Sequence, residues 1–254
     1  MSRLNNSCKP QLILWHMDSI DGVLLVDKAP GMTSHDVVAI ARKSLGTKKI
    51  GHCGTLDPMA TGLLILVAGR ATKIQDLLMA EDKEYEGTIT LGKTTSTQDR
   101  DGEVLVEQEV PAFSEQAIQD AFNQFRGDFY QVPPMVSAIK KDGVRLYKLA
   151  RQGQEVARAP RLVHVYTHDV KLIALPDISF RVVCSKGFYV RTYAHDIGQL
   201  LGCGACLSDL RRTRSGKFNL SRAIPALTLK ESDSRQIRDQ WLLSMPEVSR
   251  LRGA

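Results

Sequence analysis

Gly51-His-Cys-Gly-Thr-Leu-Asp-Pro-Met-Ala-Thr-Gly-Leu-Leu64 sets one carboxylate, Asp57, between two glycine-bearing turns and just ahead of an apolar run. Gly51 and Gly54 permit backbone conformations that a side chain forbids, and Pro58 removes a donor and stiffens the next turn. A carboxylate in such a frame is held in one place. The same residues also fit a plainer role for Asp57, a helix N-cap with proline at the first helical position ahead of Ala60-Thr-Gly-Leu-Leu-Ile-Leu-Val67. Spacing alone leaves both readings open.

The chain has 254 residues, enough for one large domain or one domain with a small appendage, and too few for two full-sized domains. Apolar residues at 43% and charged residues at 24% are ordinary for a soluble globular protein. No run approaches the roughly 20 apolar residues of a membrane span. Leu12-Ile-Leu-Trp15 is too short for a signal-peptide core and no small-residue cleavage pattern follows it, so the expected location is the cytoplasm. Five scattered cysteines, Cys8, Cys53, Cys184, Cys203 and Cys206, do not suggest a disulfide framework. Cys203-Gly-Ala-Cys206 has metal-ligand spacing but lacks the second pair that a tetrahedral site needs, so no metal is expected. The net charge of +6 favours a polyanionic partner, for which RNA is the natural candidate.

Residues 1–19 show no clear period and read as an N-terminal extension. Gly22 to Lys28 reads as a short apolar strand stopped by Pro30-Gly31, after which Thr33 or Ser34 caps a helix that ends at Gly46. Lys48 and Lys49 follow, placed either to meet phosphates or to be solvated. Ala71 to Met79 reads as helix. Lys83 to Leu91 alternates Tyr85, Gly87, Ile89 and Leu91 against polar residues, the period of a half-buried strand. Thr94 to Gly102 is a polar loop, Val104 and Val106 begin a strand, and Ser114 caps a helix with Ala117, Ile118, Ala121, Phe122 and Phe125 on one face. The paired prolines make Gln131 to Lys140 a structured loop, and Arg145 to Arg151 reads as a short helix. Strands at Leu162 to Val170 and Ser179 to Cys184 lead through Ser185-Lys-Gly187 into another helix. The class is α+β.

The run GHxGTLDPxATGLL closely resembles the nucleophile motif of the TruB-type tRNA pseudouridine synthases. Other segments match in order over residues 20 to 220: Gly22-Val-Leu-Leu-Val-Asp-Lys-Ala-Pro-Gly-Met-Thr-Ser34, Lys83-Glu-Tyr85, Ser185-Lys-Gly-Phe-Tyr-Val-Arg-Thr192 and Leu210-Arg-Arg-Thr-Arg-Ser-Gly216. The resemblance implies a pseudouridine synthase-like domain with a mixed, mainly antiparallel sheet flanked by helices. It implies isomerisation of uridine to pseudouridine at position 55 in the T loop of tRNA, without a cofactor, by a monomer that needs no protein partner. Asp57 is then the reacting carboxylate, Arg191 its guanidinium partner, and Tyr85 and Leu210 the two faces that hold the uracil. Tyr85 can also help remove the C5 proton. Tyr189 comes from the same segment as Arg191, and His52 helps open or hold the RNA loop. Arg211, Arg212 and Arg214 are expected near the RNA backbone, so that replacing Arg212 by alanine flattens the salt dependence of binding. Val136 stands where many bacterial members carry tyrosine, and Ser96 where aspartate is frequent.

Each assignment has a plainer counterpart in the residues themselves. Tyr85 by spacing alone is a core aromatic, a lone arginine is a surface residue, and a charge run is a solvated face. A catalytically silent RNA-binding protein would use the same basic residues. A hydrolase built on His52 and Asp57 would need a nucleophile motif or a metal-ligand set, and neither accompanies them. After Phe218 only 36 residues remain, below the roughly 40 at which unaided domains become rare. The expectation for residues 221–254 is therefore a helical tail containing Trp241, and not a complete PUA domain.

Overall fold

The computed structural model describes residues 20–137, 139–141, 143–150 and 152–253. The expected N-terminal extension and Cys8 lie outside the described residues. The first strand, β1 (Gly22–Lys28), leads through a turn into α1 (Ser34–Leu45), then into β2 (Ile50–Cys53) and β3 (Thr61–Ala68). A 3-10 turn over Gly69–Ile74 runs into α2 (Gln75–Met79), followed by β4 (Lys83–Leu91), the hairpin β5 (Lys93–Thr95) and β6 (Val104–Glu107), and α3 (Glu115–Asn123). Next come β7 (Gly127–Gln131), a small hairpin of β8 (Lys140–Lys141) and β9 (Val144–Arg145), and α4 (Leu146–Ala150). The long strands β10 (Arg161–Ala174) and β11 (Asp177–Cys184) precede α5 (Val190–Leu200) and β12 (Ala205–Ser215). The end of the chain adds β13 (Phe218–Asn219), β14 (Ile224–Pro225), α6 (Ala226–Glu231), α7 (Ser234–Gln240), β15 (Leu242–Leu243) and α8 (Met245–Arg252).

One large mixed sheet organises the molecule, in the order β14-β1-β3-β12-β4-β11-β10-β7. Most neighbours are antiparallel, while β14 on β1 and β12 on β3 are parallel. This is the α+β, mainly antiparallel architecture expected.

The apolar run after Pro58 is a strand, and Asp57 caps no helix. The physical reason is burial on both faces. In β3, Leu64 and Leu66 join Leu24 and Val26 of β1 in one core, while Leu63, Ile65 and Val67 join Val23 and Leu25 in a second core on the reverse side. A strand covered on both sides reads as a continuous apolar run without alternation. Helices α1, α3, α5, α6 and α7 supply the first core with residues such as Val37, Phe122, Tyr193, Leu229 and Ile237. Leu78 of α2, Phe218 and Val248 of α8 close the second. Each fully buried side chain of this kind contributes about 1.5–3 kcal/mol.

Of the strands that the sequence did not disclose, β12 and β7 extend the main sheet most. β12 is central, pairing β4 along its length with register shifts between Leu207 and Asp209 and between Arg212 and Arg214. Those bulges break the period of two, so Leu210 to Gly216 reads as a charge run when it is part of the sheet. β7 is an edge strand with Asp128 and Tyr130 exposed, and it pairs with β10. The segment after residue 220 holds α6, α7 and α8, with Trp241 just past the end of α7, and it also gives β14 and β15, both of which pair with β1.

The loop bearing Asp57 connects β2 to β3, which are antiparallel partners. It emerges where β12 joins the same strand, with Arg212 opposite Gly62. Gly62 has φ +95°, and a Cβ there would collide with the backbone of Arg212. Gly62→Ala is therefore expected to destabilise the fold by about 2 kcal/mol or more, seen as a melting temperature lower by about 5 °C. An unchanged melting temperature would mean that the β3–β12 junction yields.

Candidate active site

Asp57 sits in a loop gripped from several sides. Gly54 leaves β2 at φ +92°, a conformation suited to glycine. Beyond Asp57, the Pro58 carbonyl accepts from Gly31 N at 2.8 Å and from Lys28 Nζ at 3.2 Å. Lys28 is fully buried and also donates to Met32 O at 2.7 Å and Ala29 O at 3.0 Å. Burial pulls its ammonium down to about 8, against the attraction of Asp57.

The carboxylate meets the guanidinium of Arg191, the second residue of α5. Arg191 Nε lies 2.9 Å from Asp57 Oδ2, and Nη2 donates to Oδ1 at 3.4 Å. Arg191 is 3% exposed and its remaining capacity is taken up by backbone, Nη1 donating to Thr97 O and Nη2 to Val136 O, both at 2.7 Å. A second carboxylate shares it: Asp99 Oδ2 stands 3.5 Å from Arg191 Nε, and its Oδ1 accepts from Thr97 Oγ1 at 2.6 Å. Burial raises the Asp99 carboxyl above its usual range, with Thr97 and Arg191 pulling the other way. One cation thus ties together loops from three parts of the chain.

In front of Asp57 lies a cavity of about 280 Å³, lined by Tyr85, Tyr189, Arg191, Leu210 and Arg212 and floored by Lys83 and Phe188. Tyr85 and Arg212 face each other across β4 and β12, and Leu210 lies opposite Gly87. Tyr85 is 9% exposed, so it is both a core aromatic and part of the cavity wall. Burial raises its phenol, against the nearby positive charge of Arg212. Lys83 is buried, donates to Met79 O at 2.6 Å and to Glu81 O, and burial lowers it to about 8. Tyr189 is fixed through its backbone, whose N donates to Gln131 Oε1 at 2.8 Å and whose O accepts from Gln131 Nε2 at 3.1 Å.

Of the residues singled out from sequence, Asp57, Tyr85, Tyr189, Arg191, Leu210 and Arg212 converge on this cavity. His52 lies next door, in a hollow of about 360 Å³ that shares Gly54, Thr55 and Met79 with the first. The arginine run does not present three free cations to solvent. Arg212 is 1% exposed, and its Nε donates to Leu63 O at 2.7 Å and its Nη2 to Gly54 O at 3.1 Å. Arg211 pairs with Asp27 at 2.7 Å, outside the cavity lining, and Arg214 pairs with Glu84 at 3.4 Å. A strand position whose partners are backbone carbonyls turns Arg212 inward. Lys48 and Lys49 are exposed. Val136 meets Arg191 through its carbonyl, so a change of side chain there leaves that bond intact. Ser96 Oγ accepts from Glu103 N at 3.1 Å and closes the β5–β6 hairpin. Sequence reasoning missed Lys28 and Asp99. Lys28 ends an apolar strand just before Ala-Pro-Gly, and Asp99 looks like one more acid in a polar loop.

The site is thus a carboxylate paired to a buried guanidinium and facing a cavity of about 280 Å³. Residues 42–190 match the family model described as TruB family pseudouridylate synthase (N terminal domain), and 191–245 that of the tRNA pseudouridylate synthase B C-terminal domain. A protein of Opitutus terrae named tRNA pseudouridine synthase B is 57% identical over 223 residues, covering 86% of this chain and 92% of that one. One of Syntrophotalea carbinolica with the same name is 48% identical over 233 residues, covering 91% and 75%. Among solved structures, the chain matches one in a Cbf5-Nop10-Gar1 complex at 33% identity and TM-score 0.67, covering 87% of this chain. It matches another, in an H/ACA RNP bound to a substrate RNA containing 2'-deoxyuridine, at 29% and 0.67, covering 91%. It spans only 56% and 61% of those two chains. The chain belongs to the TruB family of pseudouridylate synthases, isomerases by reaction class. Among the described residues no helix is long and apolar enough to cross a membrane.

The buried lysine supplies a pH test. Below about pH 8 the Lys28 ammonium is charged in both the folded and the unfolded chain. Between about 8 and 10.5 the folded chain has released a proton that the unfolded chain still holds, so this group makes stability rise with pH in that window. The unfolding free energy of the wild type minus that of Lys28→Met is expected to grow across the window in denaturant titrations. A flat difference would show that Lys28 keeps its proton.

Proposed function

We propose that the protein converts uridine 55 in the T loop of tRNA to pseudouridine, with Asp57 as the group that reacts. The observation that carries the reading is the Asp57–Arg191 pair at 2.9 Å, opening into a cavity walled by Tyr85 and Leu210. A uridine flipped out of its stack enters this cavity, at a cost of a few kcal/mol that is least in a loop. The bond from ribose C1′ to N1 breaks, the uracil turns between Tyr85 and Leu210, and C5 bonds to C1′. The C5 proton leaves and N1 gains one, so atoms balance and no oxidant or cofactor takes part. Asp57 acts by adding to the nucleotide as a nucleophile or by taking a sugar proton to give a glycal. Both routes require an ionised carboxylate, and the Arg191 guanidinium holds it in place. Tyr85 stands where it can help remove the C5 proton, and Tyr189 and Arg212 touch the substrate as cavity wall.

His52, on the adjoining hollow, holds the opened RNA loop, and Arg211 meets the RNA backbone only where its pairing with Asp27 allows. Residues 20–220 act as the catalytic domain, which the segment from 221 braces through β14 and β15. The protein works in the cytoplasm as a monomer with tRNA as its partner.

The alternative is a silent RNA-binding protein, and one substitution separates the two. Asp57→Asn keeps size and much of the hydrogen bonding, so tRNA binding and melting are expected to persist while single-turnover pseudouridine formation is lost. Near-normal turnover would sink the catalytic assignment.

RNA affinity is expected to fall steeply with salt, through cations that are free to displace counterions. Lys48→Ala and Lys49→Ala should each reduce the slope of log affinity against log salt by about one unit. Arg212→Ala should leave that slope unchanged, because its guanidinium is spent on Gly54 O and Leu63 O. A flattened slope in Arg212→Ala would restore it as a phosphate contact.

A further inference from the structure

The first turn of α1 touches the Gly51–Leu64 stretch at two points, His52 and Leu56. Thr33 caps the helix in a closed box with Asp36, so the backbone of this turn is fixed independently of what its side chains do. Ser34 points inward and is 1% exposed. Its Oγ accepts from Leu56 N at 2.8 Å and donates to Leu56 O at 3.1 Å. One hydroxyl thereby satisfies both polar groups of the residue immediately before Asp57. On the far side of Asp57, Gly31 N and Lys28 Nζ hold the Pro58 carbonyl. His35, the next residue of the turn, points outward, and its ring meets the His52 ring edge-on, centroids 5.3 Å apart at 77°. His52 O also accepts from Gln75 Nε2 at 3.3 Å.

We infer that this turn is a two-sided positioning element, in which Ser34 sets the backbone that aims Asp57 and His35 sets the ring of His52 against the RNA. The inference rests on the reading of the site given above. Neither side chain touches the reacting atoms; each acts through a neighbour. Ser34 therefore governs the chemical step, where a misplacement of about 1 Å lowers rate by roughly a hundredfold. His35 governs how the RNA is held. A residue that merely stabilised the fold would not divide the two parameters in this way.

Ser44 provides the control, because it lies on the same helix and its Oγ donates to Leu229 O at 2.8 Å, away from the Asp57 loop. The experiment compares Ser34→Ala, Ser44→Ala, His35→Ala and His35→Phe on unmodified tRNA, measuring kcat, KM, RNA affinity and melting. Ser34→Ala is expected to lower kcat roughly ten- to a hundredfold with RNA affinity retained, and Ser44→Ala to lower melting while kcat stays put. His35→Ala is expected to raise KM roughly three- to tenfold, the worth of an aromatic contact, and His35→Phe to restore it. Should Ser34→Ala fold poorly, Ser34→Cys keeps the size, weakens the hydrogen bonds, and is expected to show a smaller kcat loss of the same kind. Equal kcat in the Ser34 and Ser44 variants would overturn the inference, as would an unchanged KM in His35→Ala or a failure of phenylalanine to restore it. Activity surviving in Asp57→Asn is a separate outcome that brings down the reading of the site itself.

Discussion

The guanidinium of Arg191 is the constraint on which the site depends. A buried cation left without partners is strongly unfavourable, so every element that approaches it must offer oxygen. Three loops do: the Asp57 loop gives a carboxylate, the loop after β5 gives Asp99 and the Thr97 carbonyl, and the loop after β7 gives the Val136 carbonyl. At 2.9 Å the attraction to Asp57 is about 6 kcal/mol for an effective dielectric constant near 20. Desolvation removes several kcal/mol per ion, so the pair adds little net stability. What it supplies is geometry. Because Asp99 also stands beside Arg191, the guanidinium keeps a carboxylate when Asp57 alone is neutralised; losing both would strand the buried cation at a cost of about 3–5 kcal/mol.

The sheet explains why that geometry falls where it does. Because β3 is buried on both faces, its register against β1 and β12 cannot slip by one residue without moving Leu63, Ile65 and Val67 into the wrong core. The strand end at Thr61 and Gly62 is therefore fixed against Arg211 and Arg212 of β12. Asp57 hangs from this fixed point. Loops are the mobile parts of most folds, but this one has its backbone groups occupied on either side of the carboxylate by Ser34, Gly31 and Lys28.

What the sequence disclosed follows from the same physics. Strict alternation in β4 and one-sided apolar faces on α1 and α3 are local signals, and they were legible without a structure. β3 was ambiguous because double burial erases the period that separates a strand from a helix. β12 was hidden by its two bulges and by arginines that composition assigns to the surface. Asp57, Tyr85, Tyr189, Arg191 and Leu210 were found through a motif resemblance, and their convergence on one cavity is a fact of the fold that no spacing rule contains. Lys28 and Asp99 carry no local mark at all. Their meaning comes from burial and from partners at positions 58 and 191, far away in sequence.

The inward turn of Arg212 bears on how the cavity treats charge. Arg191, Arg212 and Lys83 line it, with Lys28 near Asp57, while Asp57 is the one carboxylate in the lining among the described residues. Burial pulls both lysines down to about 8, the response expected where positive charge is crowded away from water. A site in this condition resists a further cation. It gains most from a ligand that brings negative charge to its mouth while placing a neutral ring within. A nucleotide has that character, with charged phosphates and a neutral flat base. The charge around the cavity thus agrees with the substrate proposed above, and it is set by residues that the fold itself holds.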